Sequence, residues 1–304
     1  MTPAAAAPAC RRRRRRPQRK ERPVSYTFEK GRIYRMPTHF GPAPGPRQLP
    51  DALAADPARK PRRLSVSASF LTDAARLERH LPESFALAGE PVVTVEFHYL
   101  SDIDWLAGRG YTMVHVSWPA VFTGLADRAS GKFLAAVWEN LADPIITGRD
   151  EIGHPKLYAE VPPPRRCNGE QLCEAGWMGF RFLELAVGEP REASAGGAAK
   201  GAAKGPASGS DGTLMLKYKP RTGDWGEADL CQVTLTPAHD PSVTVEQRHL
   251  GEARLRFHPA SWSDLPTMAH VVNALAELPV LEMRGGAVVQ ARGGKSYRDQ
   301  RVLR

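Results

Sequence analysis

One lysine offers the clearest chemistry in this 304-residue chain. Lys156 follows Pro155 directly, within DPIITGRDEIGHPKLYAEVPPP at 143–164. Ile152, Leu157 and Tyr158 make its neighbourhood largely apolar, and Gly148, Gly153 and Pro155 make it rich in turns. An amine hemmed in this way loses water, and desolvation disfavours the ammonium. Only the free amine attacks a carbonyl. At an ordinary pKa about one lysine in 2,500 is neutral at pH 7, and each unit of depression raises that fraction about tenfold. The same pattern also describes a surface lysine beside a turn, and the local residues leave both readings open. His98 is the second candidate. It shares one face of an alternating stretch with Thr94 and Glu96. That face either lines an internal cavity or meets solvent.

The elements that must position these groups are mostly strands. Leu64, Val66, Ala68 and Phe70 alternate with period two, as do Val93, Val95, Phe97 and Tyr99. Residues 111–118, 177–184, 213–219, 230–236, 243–249 and 253–258 read the same way. A short strand is expected at 144–147, before the turns that lead to Lys156. Two helices are expected. One is capped by Thr72 and carries Ala74, Leu77 and Leu81 on one side. The other starts near Pro266, with Met268, Val271, Val272 and Leu275 at helical spacing. Many strands and few helices predict a β-rich α+β fold. Its form would be an antiparallel barrel-like or cone-shaped sheet system, a closed barrel or a sandwich, with a few outer helices.

Composition limits the function classes. The chain is 42% hydrophobic and 25% charged, which fits a globular protein rather than a collagen-like or coiled-coil one. The net charge of +9 is concentrated: residues 1–24 carry nine Lys/Arg, with Arg11 and Arg16 bounding a run of six arginines, against Glu21 alone. The remaining body is nearly neutral and does not look like a nucleic-acid reader. The tail has no apolar stretch after its arginines, so it does not read as a secretory signal. It is either a solvated disordered extension, a targeting address, or an accessory contact to nucleic acid or an anionic surface. Residues 189–212 are rich in Gly, Ala and Ser and read as a flexible loop between two strands. One domain is therefore expected over 25–304.

Cys10, Cys167, Cys173 and Cys231 form no C-x-x-C pair and suit free thiols in the cytoplasm. The nine histidines form no H-x-x-x-H pair and no Cys/His cluster, so no metal is implied. No glycine loop suited to cradling phosphates is present, and no cofactor is expected.

GRDEIGHPKL at 148–157 resembles the signature of the acetoacetate decarboxylase family, a Gly-Arg-acid stretch leading into aromatic-Pro-Lys. MPTHFGP at 36–42 resembles the opening of many members, and LMLKYKP and DLPTMAHVVNALAELPVLE follow in matching order. The resemblance runs from residue 28 to about residue 290, interrupted at 189–212. It implies a β-rich, usually oligomeric enzyme whose lysine forms a Schiff base with a ketone. Lys156 would be that nucleophile. By register the carboxylate-facing arginine falls on Arg63, where the alternative is a surface cation in a basic run. The family's two cavity glutamates fall on His98 and Met113, and the lysine after the nucleophile is here Leu157. Asp150 stands where the family has Glu, beside Glu151. One of the two would orient the Lys156 loop or serve as an acid, or both would steady it through Arg149. His154 replaces an aromatic residue and would hydrogen-bond substrate. Met113 and Trp138 would form apolar walls or ordinary core.

The resemblance thus implies a Schiff-base lyase that acts on a small oxo acid and assembles as a homo-oligomer. Decarboxylation of a 3-oxo acid is the first expectation. An imine-dependent aldolase or dehydratase on a 2-oxo acid, or a non-catalytic binding relative, is the alternative. The exchanged residues at 98, 113 and 157 put acetoacetate itself in doubt.

Overall fold

The computed structural model describes residues 27–42, 49, 60–188, 210–238, 242–295 and 297–304. The basic tail and nearly all of 189–212 lie outside the described residues, as does most of 43–59. The chain divides into two units, 1–43 and 44–304. In the first, the Phe28 and Tyr34 rings meet edge-on at 4.8 Å. The Tyr34 hydroxyl donates to the Thr27 carbonyl at 3.0 Å, and a short 3-10 turn spans Thr38–Phe40.

The second unit is built from strands. In chain order they are β1 (Arg62–Leu71), β2 (Phe85–Leu87), β3 (Val92–Ile103), β4 (Arg109–Thr123), β5 (Arg128–Glu139), β6 (Lys156–Tyr158), β7 (Arg165–Cys167) and β8 (Glu170–Trp177). There follow β9 (Phe180–Gly188), β10 (Gly212–Pro220), β11 (Ala228–Pro237), β12 (Thr244–Gly251), β13 (Ala253–Phe257), β14 (Glu282–Arg292) and β15 (Arg301–Leu303). The large sheet runs β12-β14-β1-β3-β4-β5-β10-β11-β15, with β2 beside β4 and β6 beside β5. The smaller sheet runs β13-β9-β8-β7.

The expected β-rich α+β class holds. A closed barrel does not: β12 and β15 end the large sheet without pairing to each other. The sheet is also mixed, because β10 and β6 both run parallel to β5.

Alternation explains the layering. Val66, Ala68 and Phe70 on β1, Val93, Val95 and Phe97 on β3, and Val114, Val116 and Trp118 on β4 all turn to one side. They pack against Leu183, Leu185 and Val187 of β9 and against Val272 and Leu275 of α3 (Ala269–Ala276). The opposite face of the same strands carries Ser65, Ser67, Glu96, His98, Met113 and His115. That face holds the site.

Local signals shift three expected elements. The first helix, α1 (Ala74–Glu78), is capped by Asp73 rather than Thr72, through Arg76 N–H at 2.8 Å. Residues 144–147 are not a strand but lie in α2 (Ala142–Thr147). Pro144 sits in its first turn, where a missing N–H costs little, and the Thr147 hydroxyl donates to the Asp143 carbonyl at 2.7 Å. The expected strand at 177–184 is two strands, broken where Met178 and Gly179 adopt positive φ.

Candidate active site

Lys156 is placed by a strand, a helix and a turn that fold back on one another. After β5 the chain forms α2, a π-helical turn at Gly148–Ile152, and a left-handed Gly153 with φ 77°. β6 then returns beside β5, with Lys156 opposite Val137. Val137 N–H donates to the Pro155 carbonyl at 3.0 Å, and Ala159 N–H donates to the Glu139 carbonyl at 3.0 Å. Arg149 Nη1 donates to the Lys156 carbonyl at 2.8 Å, and His154 N–H donates to the Gly148 carbonyl at 3.0 Å. Gly148 leaves room for the lysine. A Cβ there would lie 2.4 Å from Lys156 Cε and 2.6 Å from its Nζ.

The amine is buried against a carboxylate. Lys156 Nζ lies 2.7 Å from Glu139 Oε1, and the two side chains are 7% and 0% exposed. Nζ also donates to the Pro144 carbonyl at 2.9 Å. Glu139 Oε2 has no hydrogen-bond partner among the described residues. Burial raises the Glu139 carboxyl pKa, and Lys156 opposes that shift. The pair has two forms of equal net charge: ammonium with carboxylate, and amine with carboxylic acid. A dry setting penalises two charges more than none, so the arrangement is one in which a proton can pass between the two groups without release to solvent.

Strand register gathers the other groups on the same face. Cross-strand partners point to one side of a sheet. One row across the strands reads Ser67, Glu96, His115, Val137, Lys156. The next reads Ser65, His98, Met113, Glu139. A cavity of about 690 Å³ opens on this face, lined by Arg63, Glu96, His98, Met113, His115 and Lys132 among others. Lys132 Nζ lies 3.5 Å from Glu96 Oε2. Burial works against the Glu96 carboxylate, but Lys132, His98 and Arg63 outweigh it and lower its pKa. His98 Nδ1 is 2.8 Å from Ser65 Oγ. Burial lowers the His98 pKa to about 4, with Glu96 opposing and Arg63 and Lys132 adding. Burial also lowers the His115 pKa. Both imidazoles are therefore neutral near pH 7.

The expected residues distribute unevenly. Arg63, His98 and Met113 line the cavity. Trp138 lies on the opposite face, in the core, with its ring 5.2 Å from Phe182, so the expected apolar wall at this position is core packing. It is one residue from Glu139, and a period of two sends it the other way. Leu157 follows Trp138 to the core face. Arg149 holds the Lys156 strand through its carbonyl. Asp150 pairs with Lys219 at 3.1 Å, and the Glu151 carbonyl accepts from Lys217 Nζ at 2.9 Å. His154 is buried, its ring 5.6 Å from that of Tyr297. None of residues 149, 150, 151 and 154 lines the cavity, and neither Lys156 nor Glu139 is among its lining residues; the pair lies in the adjoining strands on the same face. Sequence reasoning missed Glu139, His115 and Lys132. His115 carried a usable signal, since it alternates with Val114 and Val116 on a recognised strand.

A family model described as acetoacetate decarboxylase matches residues 35–294. The chain belongs to the acetoacetate decarboxylase family. Solved structures show the same fold at low identity. An acetoacetate decarboxylase from Legionella pneumophila is 18% identical with a TM-score of 0.58, over 86% of this chain and 92% of that one. An acetoacetate decarboxylase-like enzyme from Sphingomonas wittichii RW1 is 18% identical with a TM-score of 0.55, over 77% and 88%. The enduracididine biosynthesis enzyme MppR complexed with pyruvate is 16% identical with a TM-score of 0.57, over 81% and 90%. No curated protein matches the sequence. Among the described residues, no helix of this family member is long and apolar enough to cross a membrane.

Proposed function

We propose that this family member is a Schiff-base lyase that decarboxylates a small 3-oxo acid through an imine on Lys156. The observation that carries the reading is the buried contact between Lys156 Nζ and Glu139 Oε1 at 2.7 Å. Glu139 takes a proton from the ammonium, and the amine attacks the ketone carbon. Loss of water from the carbinolamine leaves a protonated imine. The bond to the carboxylate then breaks, CO2 departs, and its electron pair moves into the imine to give an enamine. Protonation of the enamine carbon and hydrolysis return product and lysine.

The cavity supplies the rest. Arg63 Nε is buried without a hydrogen-bond partner among the described residues, so it remains free to bind the substrate carboxylate. Held neutral by burial, His98 serves first as proton acceptor and becomes a donor only after it has taken a proton. Met113 forms an apolar wall. Arg149, Asp150, Glu151 and His154 shape the loop that carries the lysine. A homo-oligomer in a reducing cytoplasm belongs to the same proposal, supported by family membership and by the free thiols.

A second reading has specific support. His98 and Met113 stand where the resemblance places cavity carboxylates, and one solved neighbour is complexed with pyruvate. An imine-dependent aldolase or dehydratase on a 2-oxo acid would use the same Lys156. Borohydride trapping with panels of 2-oxo and 3-oxo acids tests both readings. A covalent adduct on Lys156 with CO2 release supports decarboxylation. An adduct without CO2 supports the second reading, and no adduct with any acid counts against imine chemistry.

A further inference from the structure

We propose that Glu96, His98 and His115 form a binding site for one first-row divalent metal ion, with zinc as its probe. The three donor atoms lie within 4.8 Å of one another. They come from two adjacent strands. Glu96 and His98 are two apart on β3 and share a face, and His115 on β4 is the direct cross-strand partner of Glu96. Residue spacing along the chain therefore conceals the cluster.

The donor set suits the ion. Two imidazoles and one carboxylate, with the remaining positions open, is a recurring arrangement for hydrolytic zinc and non-haem iron. The ring geometry agrees. Two imidazoles bound to one ion at Zn–N distances of about 2.0–2.1 Å place their ring centres about 5 Å apart. The His98 and His115 rings stand 4.8 Å apart at 75°. Their orientation is also supported. Ser65 Oγ engages His98 Nδ1 at 2.8 Å, which fixes the ring and leaves Nε2 as the nitrogen available to an ion. His115 Nε2 is buried with no hydrogen-bond partner among the described residues. Lys132 is the competitor, 3.5 Å from Glu96, and its side chain is 47% exposed, so it can swing into solvent. All three donors line the cavity, and the ion's open positions would face substrate oxygens there.

This site does not depend on the imine at Lys156, but an ion bound here would occupy the His98 nitrogen that otherwise accepts a proton, so the two roles of His98 exclude one another. The test is zinc titration of the full-length protein after chelator treatment, with metal content measured by mass spectrometry and cobalt(II) absorption reporting the donor set. The expected result is one ion per chain, with Lys156→Ala unaffected. His115→Ala, His98→Ala and Glu96→Gln should each abolish stoichiometric binding while circular dichroism is unchanged. Should a variant fold poorly, Ser65→Ala keeps all three donors and should weaken binding about tenfold. Binding that persists in the Glu96→Gln, His98→Ala, His115→Ala triple variant would come from donors elsewhere in the chain, such as the exposed Cys167 or Cys231, and would overturn the proposal. So would the absence of stoichiometric zinc in the folded wild-type chain.

Discussion

Lys156 and Glu139 meet across two parallel strands, amine to carboxylate at 2.7 Å, with the carboxylate fully buried. No other ion pair between described residues joins two side chains that are both so shielded; the remaining pairs each keep at least one partner substantially in water. Exposed pairs contribute little. A buried one carries a large desolvation penalty and is weak evidence for stability, so its chemistry is the better reason for it.

Replacing Glu139 with Gln keeps the volume and removes the base. Imine formation with a trapped oxo acid should slow by about 100- to 10,000-fold at neutral pH. Quenched-flow borohydride trapping measures this rate. A Glu139→Gln variant that reacts at the wild-type rate would remove Glu139 from the mechanism.

The pH profile has a required sign. Burial raises the Glu139 carboxyl pKa. Below that raised value the carboxyl is already protonated and cannot accept the lysine's proton. Trapping should therefore fall as pH drops, with its midpoint above the ordinary carboxylate range. Glu139→Gln should flatten this limb. An acid limb that persists unchanged in the variant points to another group.

Gly148→Ala probes the packing of the amine. The added methyl would lie 2.4 Å from Lys156 Cε, so the side chain must move. Overpacking of this kind costs about 1–3 kcal/mol. The expected outcome is a small drop in melting temperature with at least a tenfold loss of trapping. Unchanged trapping would show that the lysine does not need this position.

Trp138 and Met113 should separate cleanly. Trp138→Ala opens a core cavity and should cost about 3–5 kcal/mol of stability in a denaturant titration. Met113→Ala alters the cavity wall and should shift KM with a smaller change in stability. The reverse pattern would contradict the assignment of faces.

Much of this was legible in the sequence, for reasons that name where legibility stops. β3 alternates apolar and polar residues, so the face carrying Glu96 and His98 was readable, though not what it faced. β5 reads FLAAVWE toward its end, apolar on both sides because its neighbours cover both faces. Its period is invisible, and Glu139 looks like an ordinary residue before a turn. The β-branched Ile145, Ile146 and Thr147 favour a strand locally, but the geometry after Leu141 makes them helical. Whether the sheet closes depends on where its edges lie, and alternation along single strands carries no information about that.

The most direct test of the central claim is mass spectrometry of the protein after borohydride reduction with a panel of small oxo acids. The expected result is one added substrate-derived group per chain, mapped to the peptide containing Lys156 and absent in Lys156→Ala. An adduct on a different lysine, or none with any acid in folded protein, would contradict it.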